Sequence, residues 1–124
     1  MRYLLVLLAL PLITGCEVFG PAASGDMQGT SEVRVQAESD ALVVTNRSGE
    51  DLYYFVMGQS IAPVIQWAPI VTDDNRIGRR RTQRIPFEES NMNLDTERVL
   101  IFNWWHADAQ GTEADSIRVF TIDL

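Results

Sequence analysis

Apolar and polar positions alternate with a period of two through most of this chain after residue 30. "SEVRVQA" (31–37) places Val33, Val35 and Ala37 on one face. "ALVVTN" (41–46) follows a turn-like Glu38-Ser39-Asp40. In "NRSGED" (46–51) Asn46, Ser48, Gly49 and Asp51 all favour tight turns. "LYYFVMG" (52–58) is aromatic and branched, as strands prefer. "PVIQWAPIV" (63–71) predicts a strand or an irregular edge, because Pro63 and Pro69 withhold backbone donors. "RRTQRIPF" (80–87), "ERVLIFNWWHA" (97–107) and "DSIRVFTIDL" (115–124) complete the set. "ESNMNLDTER" (89–98) predicts one helical turn, capped by Ser90 or Asn91. About seven strands punctuated by turn signals predict an all-β sandwich over residues 31–124, with a small open barrel as the alternative.

The arrangement resembles an immunoglobulin-like or fibronectin-like sandwich in architecture. The cysteine pair of antibody domains is missing, so the resemblance stops there. It implies that the third, sixth and seventh strands share a sheet.

The first thirty residues follow another pattern. Arg2 precedes an apolar run, Tyr3 to Ile13, which is too short to span a bilayer as a helix. Thr14, Gly15 and Cys16 follow, and Cys16 is the only cysteine in the chain. Leu12-Ile13-Thr14-Gly15-Cys16 resembles the lipobox of bacterial lipoprotein signal peptides. The resemblance implies a signal peptide over 1–15, cleavage before Cys16, and acylation of Cys16 as the membrane anchor. Several acyl chains hold a domain stably on a bilayer where one does so only marginally. Glu17 stands where an aspartate would signal inner-membrane retention, so the expected location is the cell envelope, at the outer membrane in a Gram-negative cell. Residues 16–30, rich in Gly, Pro, Ala and Ser after the cysteine, predict a flexible tether with a typical reach of roughly 20 Å.

Charge narrows the function classes. The chain carries 10 basic and 17 acidic residues, a net charge of −7, and every basic residue is arginine. That balance argues against a nucleic-acid partner. Anionic lipid would also repel such a domain, in keeping with one tethered in solvent.

Three clusters are candidates for function. The strands "LYYFVMG" and "VLIFNWWHA" are apolar on both faces, whereas a sandwich strand needs only one apolar face. The second face predicts a partner-binding patch of Tyr53, Phe55, Ile101 and Trp105; cover by the segment around Trp67 is the competing expectation. Sugar stacking on Trp105 or Tyr53 beside Asn103 is a third. Next, "DDNRIGRRRTQR" concentrates Arg76, Arg79, Arg80, Arg81 and Arg84, whose guanidinium groups suit phosphate or carboxylate. Alternation puts Arg79 and Arg81 on one side and Arg80 and Arg84 on the other. The competing expectation is a solvated hairpin tip neutralised by Asp73, Asp74 and the acidic loop "DAQGTEAD". Finally, His106 and Asp108, with Glu113 or Asp115, have weak cation-site spacing, but no second histidine or metal motif accompanies them.

No nucleophile elbow or phosphate loop is present, and Asn46-Arg47-Ser48 has the form of a glycosylation sequon. The sequence therefore predicts a non-enzymatic, lipid-anchored envelope module with no metal or cofactor. Its partners would be the bilayer, through Cys16, and another envelope protein. The alternative is a module for envelope polyanions or glycans.

Overall fold

A computed structural model of the protein describes residues 27–124. Cys16 and most of the expected signal and tether lie outside the described residues. The strands are β1 (Met27–Gly29), β2 (Val33–Ala37), β3 (Ala41–Asn46), β4 (Leu52–Gly58), β5 (Arg76–Ile77), β6 (Thr82–Pro86), β7 (Val99–His106) and β8 (Arg118–Asp123). They form two antiparallel sheets, ordered β1-β2-β3-β6 and β5-β4-β7-β8. The chain is all-β, and the two sheets pack as a sandwich. The expected third, sixth and seventh strands (β4, β7 and β8) do share a sheet.

The alternation read from the sequence is the alternation of burial. Val33, Val35, Ala37, Leu42 and Val44 face inward from one sheet. Leu52, Val56, Leu100, Phe102, Trp104 and Ile122 meet them from the other. Each such side chain contributes about 1.5–3 kcal/mol when it leaves water. Tyr54 and Phe120 pack at the margin of this core, and Tyr54 stacks on Phe102 with ring centroids 5.9 Å apart. Burial raises the Tyr54 phenol above its usual range, assisted by Glu89.

Two local expectations change. Met27–Gly29, the end of the expected tether, is a strand paired with Arg34–Gln36. Thr30 makes this possible. Its Oγ1 accepts the N–H groups of Glu32 and Val33 at 3.2 Å, which turns the chain back on itself. The helical turn also moves. A 3₁₀ turn occupies Phe87–Glu89, and a second turn at 93–97 is capped by Asn93, whose Oδ1 accepts the N–H of Asp95 at 3.1 Å. Neither Ser90 nor Asn91 is an N-cap; Ser90 closes the first turn, its N–H donating to the Phe87 carbonyl at 3.1 Å, and the Asn91 amide donates to the Val56 carbonyl at 3.2 Å.

Asn46 holds the loop end of the sandwich together. It is wholly buried. Its amide NH₂ is shared among the carbonyls of Glu50, Ile77 and Gly78 at 2.8–3.2 Å. Its Oδ1 accepts from the N–H and hydroxyl of Ser48. One side chain thus fixes the 46–51 turn and ties it to β5. Asn46→Ala strands these buried carbonyls, and a loss of about 1–3 kcal/mol is expected in urea unfolding of the full chain. Ser48→Ala, which removes one half-buried hydroxyl and leaves the Asn46 amide in place, should cost under about half as much.

Candidate functional site

The second apolar face lies on the outside of the β5-β4-β7-β8 sheet, and the segment 59–72 covers it. Trp67 of that segment stacks on Phe55 with centroids 4.9 Å apart and an interplanar angle of 8°. It also stacks on Trp105, at 5.9 Å and 23°. The indole N–H of Trp105 donates to the Ile70 carbonyl at 3.0 Å. Asn75 pins the far end: its amide donates to the Ile70 carbonyl at 2.9 Å, and its Oδ1 accepts from the Thr72 hydroxyl at 2.7 Å. Such a segment is held as a strap rather than a strand, because Pro63 and Pro69 interrupt any ladder.

This corrects the expected partner-binding patch. Trp105 is fully buried, Tyr53 is buried, and Phe55 and Ile101 are half-buried. Phe55 and Trp105 form a second small core with Trp67. Docking takes Phe55, Trp105 and the strap's own Trp67 out of water together, which favours a covered face. Burial and nearby Asp51 raise the Tyr53 phenol above its ordinary range, with Arg76 opposing. The Asn103 amide is spent on the Phe55 carbonyl at 3.2 Å, so it is not presented for a sugar beside Trp105.

The arginines separate by function. Arg76 meets Asp73 at 3.1 Å and Asp51 at 4.0 Å. Arg84, on β6, pairs with Asp40 and approaches Glu38 at 3.8 Å. Arg80 takes a positive φ of 60° and donates its guanidinium to the Arg47 carbonyl. Exposed pairs of this kind add about 0–1 kcal/mol each. Arg79 and Arg81 are exposed and have no acidic partner among the described residues. Both line one open pocket of about 570 Å³ with Gly78, Thr82, Gln83 and the Arg76–Asp51–Asp73 group. The backbone there is braced, since the Arg79 N–H donates to Asp51 Oδ1 at 3.0 Å. The five arginines therefore do not meet one ligand; three line this pocket, Arg76 with its carboxylate partners and Arg79 and Arg81 without one among the described residues. The acidic loop lies at the same end of the sandwich, yet its Asp115 pairs with Arg118 at 3.6 Å rather than with this run.

His106 and its acidic neighbours do not converge. His106 is buried, and its Nδ1 lies 2.9 Å from the Asp51 carbonyl, which can only accept, so Nδ1 carries the proton. Its ring meets Trp104 edge-on at 5.5 Å. His106 Nε2, Trp104 Nε1 and Arg118 Nη1 are buried without a hydrogen-bond partner among the described residues, and the Arg118 guanidinium lies 4.7 Å from the Trp104 ring centre. Asp108 is spent on its own loop, where backbone N–H groups of Thr112, Glu113, Gly111 and Gln110 hold its carboxyl below the usual range. Asp115 accepts from the His106 and Ser116 amides. Among the described residues no group of three or more His, Cys, Asp or Glu is arranged to hold a metal ion.

Sequence reasoning missed one cavity. At the other end of the sandwich, Ser39, Asp40, Phe87, Met92, Leu94 and Leu124 line an open groove of about 510 Å³. Glu97 forms part of its wall. No local motif marks it, because its residues come from four separate turns and strand ends. No helix of the described residues is long and apolar enough to cross a membrane. No protein-family model, curated protein or solved structure matches this chain.

Proposed function

We propose that the protein is a non-enzymatic lipoprotein of the cell envelope, held on its membrane by acylated Cys16. Its sandwich binds the phosphate or carboxylate groups of an envelope polyanion at Arg79 and Arg81. The observation that carries this reading is the contrast among the five arginines. Arg76 and Arg84 have carboxylate partners and Arg80 a carbonyl, whereas Arg79 and Arg81 line an open pocket and have no acidic partner among the described residues. Guanidinium groups in that setting take an anion bidentately at little ordering cost, because the loop beneath them is already held by Asn46 and Asp51. A non-enzymatic role is in keeping with His106. It is the chain's only histidine, and it is buried with Nδ1 engaged. In a Gram-negative cell the location is the outer membrane, with the domain facing the periplasm or the surface. The protein-partner reading has less support, because Tyr53 and Trp105 are buried and Trp67 of the strap stacks on Phe55 and Trp105.

The test is binding of the purified full chain to phosphorylated lipopolysaccharide at two ionic strengths. Arg79→Ala/Arg81→Ala should lose most of the affinity at low salt, and the native affinity should fall steeply above about 0.1 M salt, where screening shortens to about 10 Å. Arg84→Ala, which removes an arginine already paired, should leave binding near native. Equal binding by the native chain and the double variant would sink the proposal.

A further inference from the structure

The groove at the end of the sandwich away from the arginine pocket combines apolar walls with a buried negative charge. β6 runs from one site to the other: Thr82 lines the arginine pocket and Pro86 lines the groove. Phe87, which is buried, and Met92, which is half-buried, join the groove to the core. Leu94 and Leu124 also line it and are 52% and 39% exposed. These side chains leave apolar surface in water that an occupant would dry. The groove measures about 510 Å³. Small-molecule sites are typically clefts of roughly 300–1,000 Å³ with apolar walls and a few placed polar groups.

The charges along the groove do not balance. Asp40, Glu88 and Glu97 line it, and no arginine does. Arg84 reaches Asp40 from β6 and is used there. Arg98 donates to the Glu97 backbone carbonyl at 3.0 Å. Glu97 is almost wholly buried, and the donors to its carboxylate are neutral: the Ser60 hydroxyl and the N–H groups of Ser60 and Val99. Such hydrogen bonds favour the ionised form, so the wall carries a buried charge. Glu88 is exposed. Among the described residues no basic group comes within ion-pair distance of the Glu88 or Glu97 carboxylate. Buried charges are ordinarily paired, because burial removes their water and strengthens the pull of a countercharge.

We propose that this groove binds a small amphiphilic organic cation, an amine or guanidine carried on a short apolar chain. The chain lies against Phe87, Met92 and Leu94, and the cationic head meets the carboxylates of Glu88 and Glu97. The charge comes from the walls, and so does the need for a chain. A hard metal ion would take six or more oxygen ligands, which these apolar walls do not supply. No group of three or more His, Cys, Asp or Glu is arranged to hold a metal among the described residues. An anionic amphiphile has the right chain and the wrong charge. The groove and the arginine pocket lie at opposite ends of the strands, so this proposal stands or falls independently of polyanion binding.

The experiment titrates the nitrogen-15-labelled full chain with hexylammonium, butylammonium and hexanoate at low salt and follows the amide signals. Hexylammonium should give saturable shifts at Met92, Leu94 and Leu124. Butylammonium, two methylenes shorter, should bind roughly tenfold more weakly. Hexanoate should give no shift there at the same concentrations. Glu88→Gln should weaken hexylammonium severalfold, and Leu94→Asn should abolish saturation. Both residues are exposed, so these variants keep the fold. Glu97→Gln, which removes the buried charge, should weaken binding at least as much as Glu88→Gln. Arg79→Ala/Arg81→Ala should bind hexylammonium as the native chain does. Equal shifts with hexanoate would mean that the groove reads only an apolar chain, and they overturn the proposal. Shifts scattered over the acidic loops without saturation overturn it as surface charge alone. Absence of any shift with hexylammonium, or native affinity in Glu88→Gln, also overturns it.

Discussion

Trp105→Ala lowers the stability of the domain by about 3–5 kcal/mol, the usual cost of emptying a buried tryptophan site. That is a large part of the 5–15 kcal/mol typical of a whole domain. The side chain is fully buried, stacks on Trp67 and donates to the Ile70 carbonyl, so its loss opens a cavity and frees the strap together. Trp67→Ala should cost less, on the order of 2 kcal/mol, because Trp67 is half-buried and its loss leaves Trp105 in place. The two residues touch, so the double variant should cost less than the sum, by about 0.5–3 kcal/mol. Urea unfolding of the full chain measures all three. Strict additivity would mean that the strap is not docked through this stack.

Gly58→Ala should be the most damaging small substitution, at about 3 kcal/mol. A Cβ there would lie 2.6 Å from Glu97 Cδ and closer still to Oε2. Forcing a methyl group into such a site costs about 1–3 kcal/mol. The displaced carboxylate also loses its donors, at a cost of about 1–3 kcal/mol for a buried group. Glu97 is only 5% exposed. It accepts from the Ser60 hydroxyl and N–H and from the Val99 N–H, which joins the strap turn to the start of β7. In a Glu97→Ala background, Gly58→Ala should cost much less, since the obstacle is gone. An unchanged cost would place the strain elsewhere.

Glu97 also makes a pH prediction. Burial pushes its carboxyl up, but the hydrogen bonds from Ser60, Val99 and Arg98 outweigh this and leave it below the usual range. A carboxyl depressed in the folded state adds stability above its unfolded value of about 4.3. That contribution fades as pH falls through the lower folded value. Native stability should therefore decline in that window more steeply than that of Glu97→Gln.

Much of the fold is visible in two-residue alternation. Val33, Val35 and Ala37, or Phe102 and Trp104, declare their inward faces locally, because a strand's pleat points every second side chain the same way. The turn at 46–51 is legible for a similar reason, since its residues favour turn geometry on their own. The fate of Tyr53, Phe55, Ile101 and Trp105 is not local. Alternation shows that β4 and β7 are apolar on both sides, but the cover comes from Trp67, at the centre of a segment whose prolines hide any period. The uncharged run between Asp51 and Asp73 was the available signal.

The arginine run divides along the same line. Its composition marks it as a place for anions, and alternation separates Arg79 and Arg81 from Arg80 and Arg84. Which two are free depends on acids distant in sequence: Asp51 for Arg76, and Glu38 and Asp40 for Arg84. The sequence by itself determined the all-β class, the positions of β2, β3, β4, β6, β7 and β8, the inward faces and the acidic balance, because these follow from covalent spacing and from each residue's own chemistry. Only the tertiary structure decided that Trp67 of the strap stacks over Phe55 and Trp105, that Gly58 makes room for Glu97, and that Arg79 and Arg81 share an open pocket with the paired Arg76. Each of these depends on atoms brought together from distant parts of the chain, and packing at that range leaves no period in the sequence to read.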